Sequence, residues 1–492
     1  MMGSSTFERL KPAGYTTASI ILSAGSLLNG FDTGSIGAVT VMPQFVEVMG
    51  PQPPTIIGLT ISIILFGGAF SSPFAGQLAN RYGHPRVIAA GAAAFASGSI
   101  LQASALSLGQ FIAGRLVAGL AEGIYLGLLN VYVCEIAPSK NRGTLASLLQ
   151  LATAVGLPCG YFTCYGTVRI SGSLAWRAPF IMSTVVAALL TGSCFYIPLS
   201  PRWLMANGRR DDAARSIAKL GIQAAEAEKD ILSFRDEDVQ KQLGFLRSIA
   251  LIFSKPYRAR TTLALFILGM VQLCGIDGVL FYAPLLFAQA GLSKSSASFL
   301  ASGLSAILIV LISIPAMFLA DRIGRRASVL TSGVLLTTTM LIVGTLYAAE
   351  VVTPEGAARW VVIVSIFLFA LSYSATWAMV GKIYASEIQP GSTRGVSNSV
   401  AQGLNFLTNA FVALITPILL DHSAYGAYFL FAGLSLFTTI VLGLYMPETK
   451  GQPLETIQEV FSKPLQVHGA RFIQRVEMRH REHIGVELSV LG

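Results

Sequence analysis

Residues 135–143 read Glu135-Ile-Ala-Pro-Ser-Lys-Asn-Arg-Gly143, and the pattern returns 252 residues later as Glu387-Ile-Gln-Pro-Gly-Ser-Thr-Arg-Gly395. Each copy follows one apolar stretch and precedes another. A second pair, Asn80-Arg-Tyr-Gly-His-Pro-Arg86 and Asp321-Arg-Ile-Gly-Arg-Arg326, is separated by 241 residues. Charged strings that recur in the same order at nearly one offset predict two related halves in one chain. Parallel halves of this kind are typical of membrane transporters whose substrate site lies between them.

The composition indicates a membrane protein. Of the 492 residues 53% are hydrophobic and only 12% are charged, whereas a soluble domain has about 25% charged residues. An apolar stretch of roughly 20 residues spans a bilayer, and it must be helical because lipid offers the backbone no hydrogen-bond partners. We therefore predict an all-α membrane protein with twelve transmembrane helices in two pseudo-symmetric six-helix bundles. The predicted spans are 16–41, 55–79, 86–106, 108–133, 144–167, 177–198, 260–284, 296–320, 327–349, 359–385, 395–420 and 424–446.

The positions of the basic residues predict the orientation of these spans. With the N-terminus placed inside, 28 of the 34 Lys and Arg fall in cytoplasmic segments. The others are Arg169, Arg177, Lys294 and Arg359 at the outer side, and Arg115 and Lys382 within spans. This is the positive-inside bias of membrane proteins, so we expect both termini in the cytoplasm and a multi-pass protein of the plasma membrane.

The positions of the predicted spans also predict the domain organisation, and the composition excludes several functions. We expect an N-terminal bundle at 1–199, a cytoplasmic helical insert at 200–258, a C-terminal bundle at 259–450 and a cytoplasmic tail at 451–492. The net charge of +9 is explained by topology and does not form the basic face of a nucleic-acid-binding domain. The five cysteines have no metal-ligand spacing, and no phosphate loop or nucleophile–base constellation occurs, so neither a metal, a cofactor nor an enzyme is expected.

Several motifs resemble those of the sugar porters of the major facilitator superfamily. They occur in matching order between about residues 28 and 455. They are Gly30-Phe-Asp-Thr-Gly34, Gly114-Arg115 with Gly119 and Gly123, the two Glu-Ile-x-Pro-x-x-x-Arg-Gly strings, Ser200-Pro-Arg-Trp203, the Arg-rich turn at 321–326 and Pro447-Glu-Thr-Lys-Gly451. The resemblance implies two bundles that rock around a central site, which is transport by alternating access.

Asp32 in span one and Arg115 in span four are predicted to couple transport to protons. A charge at mid-bilayer costs about 2.5–3.5 kcal/mol even on the lenient insertion scale, so charged residues there are functional candidates. In the family this Asp distinguishes proton-coupled members from many uniporters, and the Arg is its partner. An ion pair that separates during the cycle would let Asp32 bind and release a proton. The alternative is a static pair that only joins two helices.

Glu122 is a third ionisable residue in this region. It replaces a small residue of the family pattern and lies seven positions after Arg115, hence on the same helix face two turns away. Three roles remain open. It could compete with Asp32 for Arg115, serve as a second proton site, or face a packing position without function.

The charged residues at the cytoplasmic helix ends predict a gate. They could bridge the two bundles when the inner side is closed, and opening would break those pairs. The alternative is a set of ordinary positive-inside anchors. The sequence departs from the family at Asn80, usually Asp, and at Leu199, usually Glu, which predicts a looser gate. The gate residues are Arg81, Glu135, Arg142, Asp321, Arg322, Glu387 and Arg394.

Amide and aromatic residues at family positions predict the sugar site. Amides suit a polyol because each offers donors and an acceptor. The alternative for any single one is interhelical packing. The matching residues are Gln150, Gln272, Tyr282, Trp377, Asn405 and Asn409.

Three departures from the family concern the substrate: Val271 replaces a Gln, Asp277 an Asn, and Lys382 a cavity-lining Trp. A cation at Lys382 must face the cavity and needs a counter-charge. Either Asp277 supplies it, leaving a neutral site, or the substrate supplies it as a carboxylate. The stretches Asp277–Pro284 and Lys382–Pro390 also resemble fungal galacturonic acid transporters.

The sequence thus predicts a secondary active transporter that takes up a sugar or a galacturonate-like sugar acid together with protons. The partners expected are this substrate, protons and the lipid bilayer. A facilitative hexose or polyol transporter and an exporter of a secondary metabolite remain as alternatives. A sugar sensor would need a longer cytoplasmic tail.

Overall fold

The computed structural model describes residues 14–138, 142–222, 245–292, 295–353, 355–450 and 461. Within them the chain forms nineteen helices and no strand. In chain order they are α1 Gly14–Thr40, α2 Pro43–Met49, α3 Pro54–Tyr82, α4 His84–Ala103, α5 Leu108–Ile136, α6 Arg142–Thr167, α7 Leu174–Cys194, α8 Pro201–Ala206, α9 Arg210–Leu220, α10 Phe245–Ile252, α11 Arg258–Leu273, α12 Ile276–Phe281, α13 Ala283–Gln289, α14 Ser295–Ile323, α15 Arg325–Ala348, α16 Ala358–Ala375, α17 Trp377–Glu387, α18 Gly391–His422 and α19 Gly426–Tyr445.

The predicted all-α membrane fold is confirmed. Ten segments of the described chain are helical, long and apolar enough to cross a bilayer, with α11–α12 and α16–α17 each counted as one. Two further long helices, α1 and α14, stand at predicted spans one and eight. Together these twelve spans form two bundles, with α1 and α3–α7 in the N-terminal one. The domain limits stay predictions, because residues 223–244 and nearly all of the tail lie outside the described residues.

The repeated sequence motifs become repeated turns. Gly83 separates α3 from α4 with a φ of 87°, and Gly324 separates α14 from α15 with a φ of 100°. Positive φ values favour glycine because it has no Cβ. In each half, a single glycine therefore separates the two helices. The two turns share the same local geometry.

Spans seven and ten are broken, which the sequence did not predict. Gly275, with a φ of 93°, separates α11 from α12, and Thr376 separates α16 from α17. Discontinuous helices are common where a transporter builds its substrate site. Both breaks lie in the C-terminal bundle, and they place the short helices α12 and α17 next to the interface between the bundles.

Small residues bring the two bundles together. We call the side on which α1 begins and α19 ends the inner side, and the opposite one the outer side. Helix α3 packs against α18 and α6 against α14. A Cβ on Gly58 would lie 2.6 Å from the carbonyl oxygen of Leu414, and one on Gly68 would meet Phe406 at 3.0 Å. Small residues permit such close approach of helices in membranes.

Helix α12 contacts the N-terminal bundle at the outer side. Its residue Phe281 presents a carbonyl oxygen that would lie 1.6 Å from a Cβ on Gly37 of α1. The hydroxyl of Tyr161 on α6 donates a hydrogen bond to the carbonyl oxygen of Leu280. The C-terminal bundle thus contacts two helices of the N-terminal bundle at the outer side.

Candidate functional site

Asp32 and Arg115 form a bidentate ion pair inside the N-terminal bundle. The two terminal nitrogens of Arg115 lie 3.0 and 3.1 Å from the two carboxylate oxygens of Asp32. Arg115 is fully buried and also donates to the Gln102 side chain at 3.4 Å and to the Ile61 carbonyl at 3.2 Å. The Asp32 side chain keeps 12% of its surface exposed. The pair predicted from the sequence is therefore formed, and Gln102 is a partner that the sequence did not reveal.

Glu122 lies in the same buried region but has a different partner. It is 2% exposed, and its Oε1 accepts a hydrogen bond from Asn29 Nδ2 at 2.5 Å. No Lys or Arg nitrogen of the described chain lies within 4 Å of its carboxylate. Asn29 stands three residues before Asp32 on α1, so the two pairs are stacked along neighbouring helix turns. Asn29 was missed because a single amide in a helix carries no signal.

Three of the four amide residues predicted to bind sugar come together in the C-terminal bundle. Gln272 Nε2 on α11 lies 3.4 Å from Asn405 Oδ1 on α18, and Gln272 Oε1 accepts from the Tyr373 hydroxyl at 3.1 Å. Asn405 also donates to the carbonyl of Leu268 at 2.7 Å. Asn409, one turn further, has a buried Oδ1 with no hydrogen-bond partner among the described residues. The cluster is thus ordered, and Asn409 retains an acceptor for a hydroxyl group.

Lys382 faces the space between the bundles. It is exposed although it lies within span ten, and its Nζ lies 3.2 Å from Gln150 Oε1 on α6 of the other bundle. Asp277 on α12 attracts Lys382 electrostatically, yet no carboxylate oxygen of the described residues is within 4 Å of the ammonium. Asp277 itself is buried, with an Oδ2 that lacks a hydrogen-bond partner in the described chain.

The two predicted aromatic contacts are engaged elsewhere in this conformation. Trp377 is 1% exposed, and its indole N–H donates to the carbonyl of Val329 on α15 at 2.9 Å. The Tyr282 hydroxyl donates to the carbonyl of Ala413 on α18 at 2.7 Å. Both side chains therefore join helices of the C-terminal bundle here, and their contact with a substrate stays a prediction.

Glu387 and Glu135 each lie beside a basic side chain of their own bundle in this conformation. Glu387 accepts from Arg325 at 3.0 Å and from the Thr449 hydroxyl at 3.0 Å. The corresponding Glu135 of the first half lies 3.5 Å from His84 Nδ1. No described ion pair links the bundles, as the gate prediction would require in an inner-closed state. Arg81 is exposed, and the side chains of Arg142, Asp321, Arg322 and Arg394 lie outside the described residues.

Glu448 fixes the turn between α14 and α15, a role that the sequence motif alone did not indicate. Its carboxylate accepts from the backbone N–H groups of Arg325 and Arg326 at 2.9 and 3.0 Å. It also accepts from those of Thr449 and Lys450. A negative charge at a helix N-terminus is favourable because the first N–H groups have no intrahelical partner. Glu448 thus holds Arg325 in place beside Glu387.

Comparisons with known proteins agree with this arrangement. Sugar transport protein MST3 of Oryza sativa subsp. japonica is 28% identical over 462 residues, covering 89% of this chain and 88% of that protein. Glucose transporter GlcP of Staphylococcus epidermidis is 29% identical over 441 residues, covering 89% and 95%. The solved structure of the proton:xylose symporter XylE with 6-bromo-6-deoxy-D-glucose has a TM-score of 0.75 at 22% identity, over 91% of this chain and 99% of that chain.

The structural likeness at this identity shows the fold, which is that of the major facilitator superfamily. The sequence profile of the family described as "Sugar (and other) transporter" matches residues 18–461, which is nearly the whole described chain. The ion pair, the amide cluster and all the spans except the first four residues of α1 lie inside this match. The chain therefore belongs to the sugar (and other) transporter family.

Proposed function

We propose that this transporter carries a sugar acid together with protons into the cell by alternating access. Family membership makes the chain a sugar-porter-type transporter and not an enzyme. Our proposal goes beyond family membership in four respects: proton coupling, an acid substrate, a location in the plasma membrane and cytoplasmic termini. The observation that carries the proposal is that three charged residues lie within the membrane spans: Asp32 is bound to Arg115, and Lys382 is exposed between the bundles.

The geometry supports alternating access. The bundles touch at the outer side through Gly37 and Phe281, while Lys382 remains exposed in the middle of the membrane span. No described ion pair ties the inner helix ends of one bundle to those of the other. This combination corresponds to an inward-facing state, in which a substrate at Lys382 leaves toward the cytoplasm. The outward-facing state follows when α12 leaves α1 and the inner ends approach.

Proton coupling rests on the accessibility of Asp32. Arg115 is fully buried, but the Asp32 side chain is partly exposed, so protons can reach the carboxylate without dismantling the bundle. When Asp32 binds a proton, its charge is lost and the bidentate pair with Arg115 no longer holds α1 against α5. A conformational equilibrium that depends on this pair then depends on the proton gradient.

This coupling is tested with Asp32→Asn, which keeps the shape of the side chain but cannot ionise. We expect concentrative uptake to be lost while exchange of labelled substrate across the membrane persists. Asp211→Asn, an exposed position on α9, is the matched control and should accumulate substrate normally. Accumulation by Asp32→Asn that is undiminished and still abolished by a protonophore would remove Asp32 from the coupling role.

The acid substrate is inferred from the charge of Lys382. An ammonium within a membrane span needs a counter-charge, and Gln150 supplies only a neutral acceptor at 3.2 Å. Asp277 attracts the ammonium but forms no ion pair with it among the described contacts within 4 Å. A substrate carboxylate bound to Lys382 would fill this position, and the sugar hydroxyls would then face Asn409 and the Gln272–Asn405 pair.

Selectivity tests this assignment. Lys382→Trp should weaken binding of galacturonate about tenfold to a hundredfold, since a hydrogen bond to a charged group contributes about 1.5–3 kcal/mol. Glucose binding should change far less. If Lys382 serves only to neutralise Asp277, the single change should impair both substrates equally and Lys382→Trp with Asp277→Asn should restore both. That second pattern would refute the sugar-acid substrate.

The direction of transport needs its own measurement. Uptake of labelled galacturonate and glucose into transporter-deficient cells, with and without a protonophore, distinguishes three cases. Protonophore-sensitive accumulation of the acid agrees with the proposal. Equilibration of a neutral hexose without accumulation indicates a facilitative transporter, and accelerated loss of preloaded substrate indicates an exporter. Access of membrane-impermeant reagents to tags on the termini settles the orientation.

A further inference from the structure

The buried part of the N-terminal bundle holds two carboxylates but one guanidinium. Both terminal nitrogens of Arg115 are bound by Asp32, and Glu122, also buried, has no described cation within 4 Å. If both carboxylates were ionised, the cluster would carry one unbalanced negative charge. A buried carboxylate without a counter-charge takes up a proton instead, so the cluster is neutral when one of the two is protonated.

The contacts of Asp32 and Glu122 indicate which of the two carboxylates is protonated. Asp32 makes a bidentate contact with a full positive charge, whereas Glu122 accepts a hydrogen bond from the neutral amide of Asn29 at 2.5 Å. An amide donor satisfies a protonated carboxyl group as well as an ionised one. The proton of the cluster therefore belongs on Glu122 while Asp32 and Arg115 remain paired.

The titratable groups around Glu122 are spread along the direction of α5. Three titratable groups interact electrostatically with Glu122: Asp32 of α1, and Arg115 and Tyr125 of α5. Helix α3 packs against Gly123, the residue after Glu122, through Ser71. The Tyr125 hydroxyl, one turn further along α5, is buried without a hydrogen-bond partner among the described residues. Because α5 runs from the outer to the inner side, the order from Arg115 through Glu122 to Tyr125 leads inward.

We propose that Glu122 is a second proton-binding carboxylate, which holds a proton while Asp32 is paired with Arg115 and releases it inward when that pair separates. The inference rests on the proton coupling proposed above and adds the group that exchanges charge with Asp32. One proton enters on Asp32, which leaves Arg115, and one proton leaves Glu122, whose carboxylate becomes the counter-charge of Arg115. Transfer of the proton from Asp32 to Glu122 then restores the first state. The net charge of the cluster is zero throughout.

Infrared spectroscopy of the purified transporter in lipid tests this directly. A protonated carboxyl group has a carbonyl stretch that shifts when the proton is exchanged for deuterium. We expect Glu122→Gln to lose one such band at neutral pH that wild type and Glu47→Gln retain; Glu47 is exposed on α2 and is the matched control. Asp277→Asn identifies any band from the other buried acid. A Glu122→Gln spectrum identical to wild type at every pH would overturn the proposal.

Transport measurements supply the second readout. Glutamine reproduces the neutral acid, so Glu122→Gln should retain substrate exchange but lose concentrative uptake, with an accumulation ratio that falls to one. Full accumulation by a correctly folded Glu122→Gln, judged by size-exclusion elution, would also refute the role. The tests of Asp32 and Glu122 can fail separately. Accumulation of substrate by Asp32→Asn would refute proton coupling through Asp32, whereas protonation of Glu122 is tested by the infrared spectrum alone.

Discussion

An added methyl group at Gly37 tests how the outer side of the transporter closes. A Cβ at this residue of α1 would lie 1.6 Å from the carbonyl oxygen of Phe281 on α12. Ordinary van der Waals contact begins at 3.4 Å, so the two helices would have to separate by about 1.8 Å, the difference between these distances. The contact joins the two bundles, and therefore exists only while the outer side is closed.

The expected effect of Gly37→Ala is a shift of the conformational equilibrium. Overpacking a tight contact costs about 1–3 kcal/mol. Because the cost falls on the outer-closed state and is absent once α12 has moved away, the ratio of outward-open to inward-open molecules should rise about 5–150-fold. Gly34→Ala is the matched control: its Cβ would lie 2.1 Å from the Leu157 carbonyl within the same bundle. That clash persists in every state and should lower stability without shifting the equilibrium.

Spin-label distances measure this shift. Labels at Ser171 and Val351 stand on exposed loops of the two bundles at the outer side, in a background where the exposed Cys159 is replaced by Ser. Gly37→Ala should enlarge the population with the longer distance, whereas Gly34→Ala should leave the distribution unchanged but lower the unfolding temperature. An unchanged distribution in a stable Gly37→Ala protein would mean that α12 does not close the pathway against α1.

Three further changes follow from contacts at the inner side and in the C-terminal bundle. His84→Arg should replace the 3.5 Å contact with Glu135 by a permanent ion pair, so adding Glu135→Gln should cost more stability in the His84→Arg background than in wild type; equal costs in thermal denaturation would contradict this. Glu448→Gln removes the charge that caps α15 and should lower the free energy of unfolding by about 0.5–2 kcal/mol, seen in thermal denaturation. Trp377→Phe should cost about 1 kcal/mol of stability with an unchanged KM; a raised KM would instead support the predicted substrate contact.

The membrane helices were predictable because lipid leaves the backbone few options. Span two, predicted at 55–79, is Pro54–Tyr82 in the structure, and span twelve, predicted at 424–446, is Gly426–Tyr445. The breaks within spans seven and ten were not predictable in this way. Gly275 is one of many glycines in apolar segments, and hydropathy does not record which of them adopts a positive φ. The shape of the substrate region therefore required the structure.

Charged partners were easier to predict than neutral ones. Asp32 and Arg115 had to meet because neither is tolerated alone in a membrane span. Asn29 and Gln102, which complete that cluster, went unnoticed because uncharged polar residues in transmembrane helices usually join helices to one another. The inner carboxylates show a different limit. The spacing of Glu387 and Arg325 is equally compatible with pairing within one bundle and between two, and only the structure shows the first.

The two kinds of chemistry are separated between the halves of the molecule. The proposed proton-binding groups, Asp32 and Glu122 with Arg115, all lie on α1 and α5 of the N-terminal bundle. The proposed substrate ligands, apart from Gln150, lie in the C-terminal bundle, on α11, α12, α17 and α18 and, for Tyr282, between α12 and α13. Coupling between two ligands requires that each favour the same arrangement of the bundles. Coupling between proton binding and substrate binding would therefore act through the interface between the bundles, where Gln150 contacts Lys382 and Gly37 contacts Phe281. A substrate bound to Lys382, as proposed, would compete with Gln150 for the ammonium, and would so change the contact between the bundles without touching a proposed proton-binding residue.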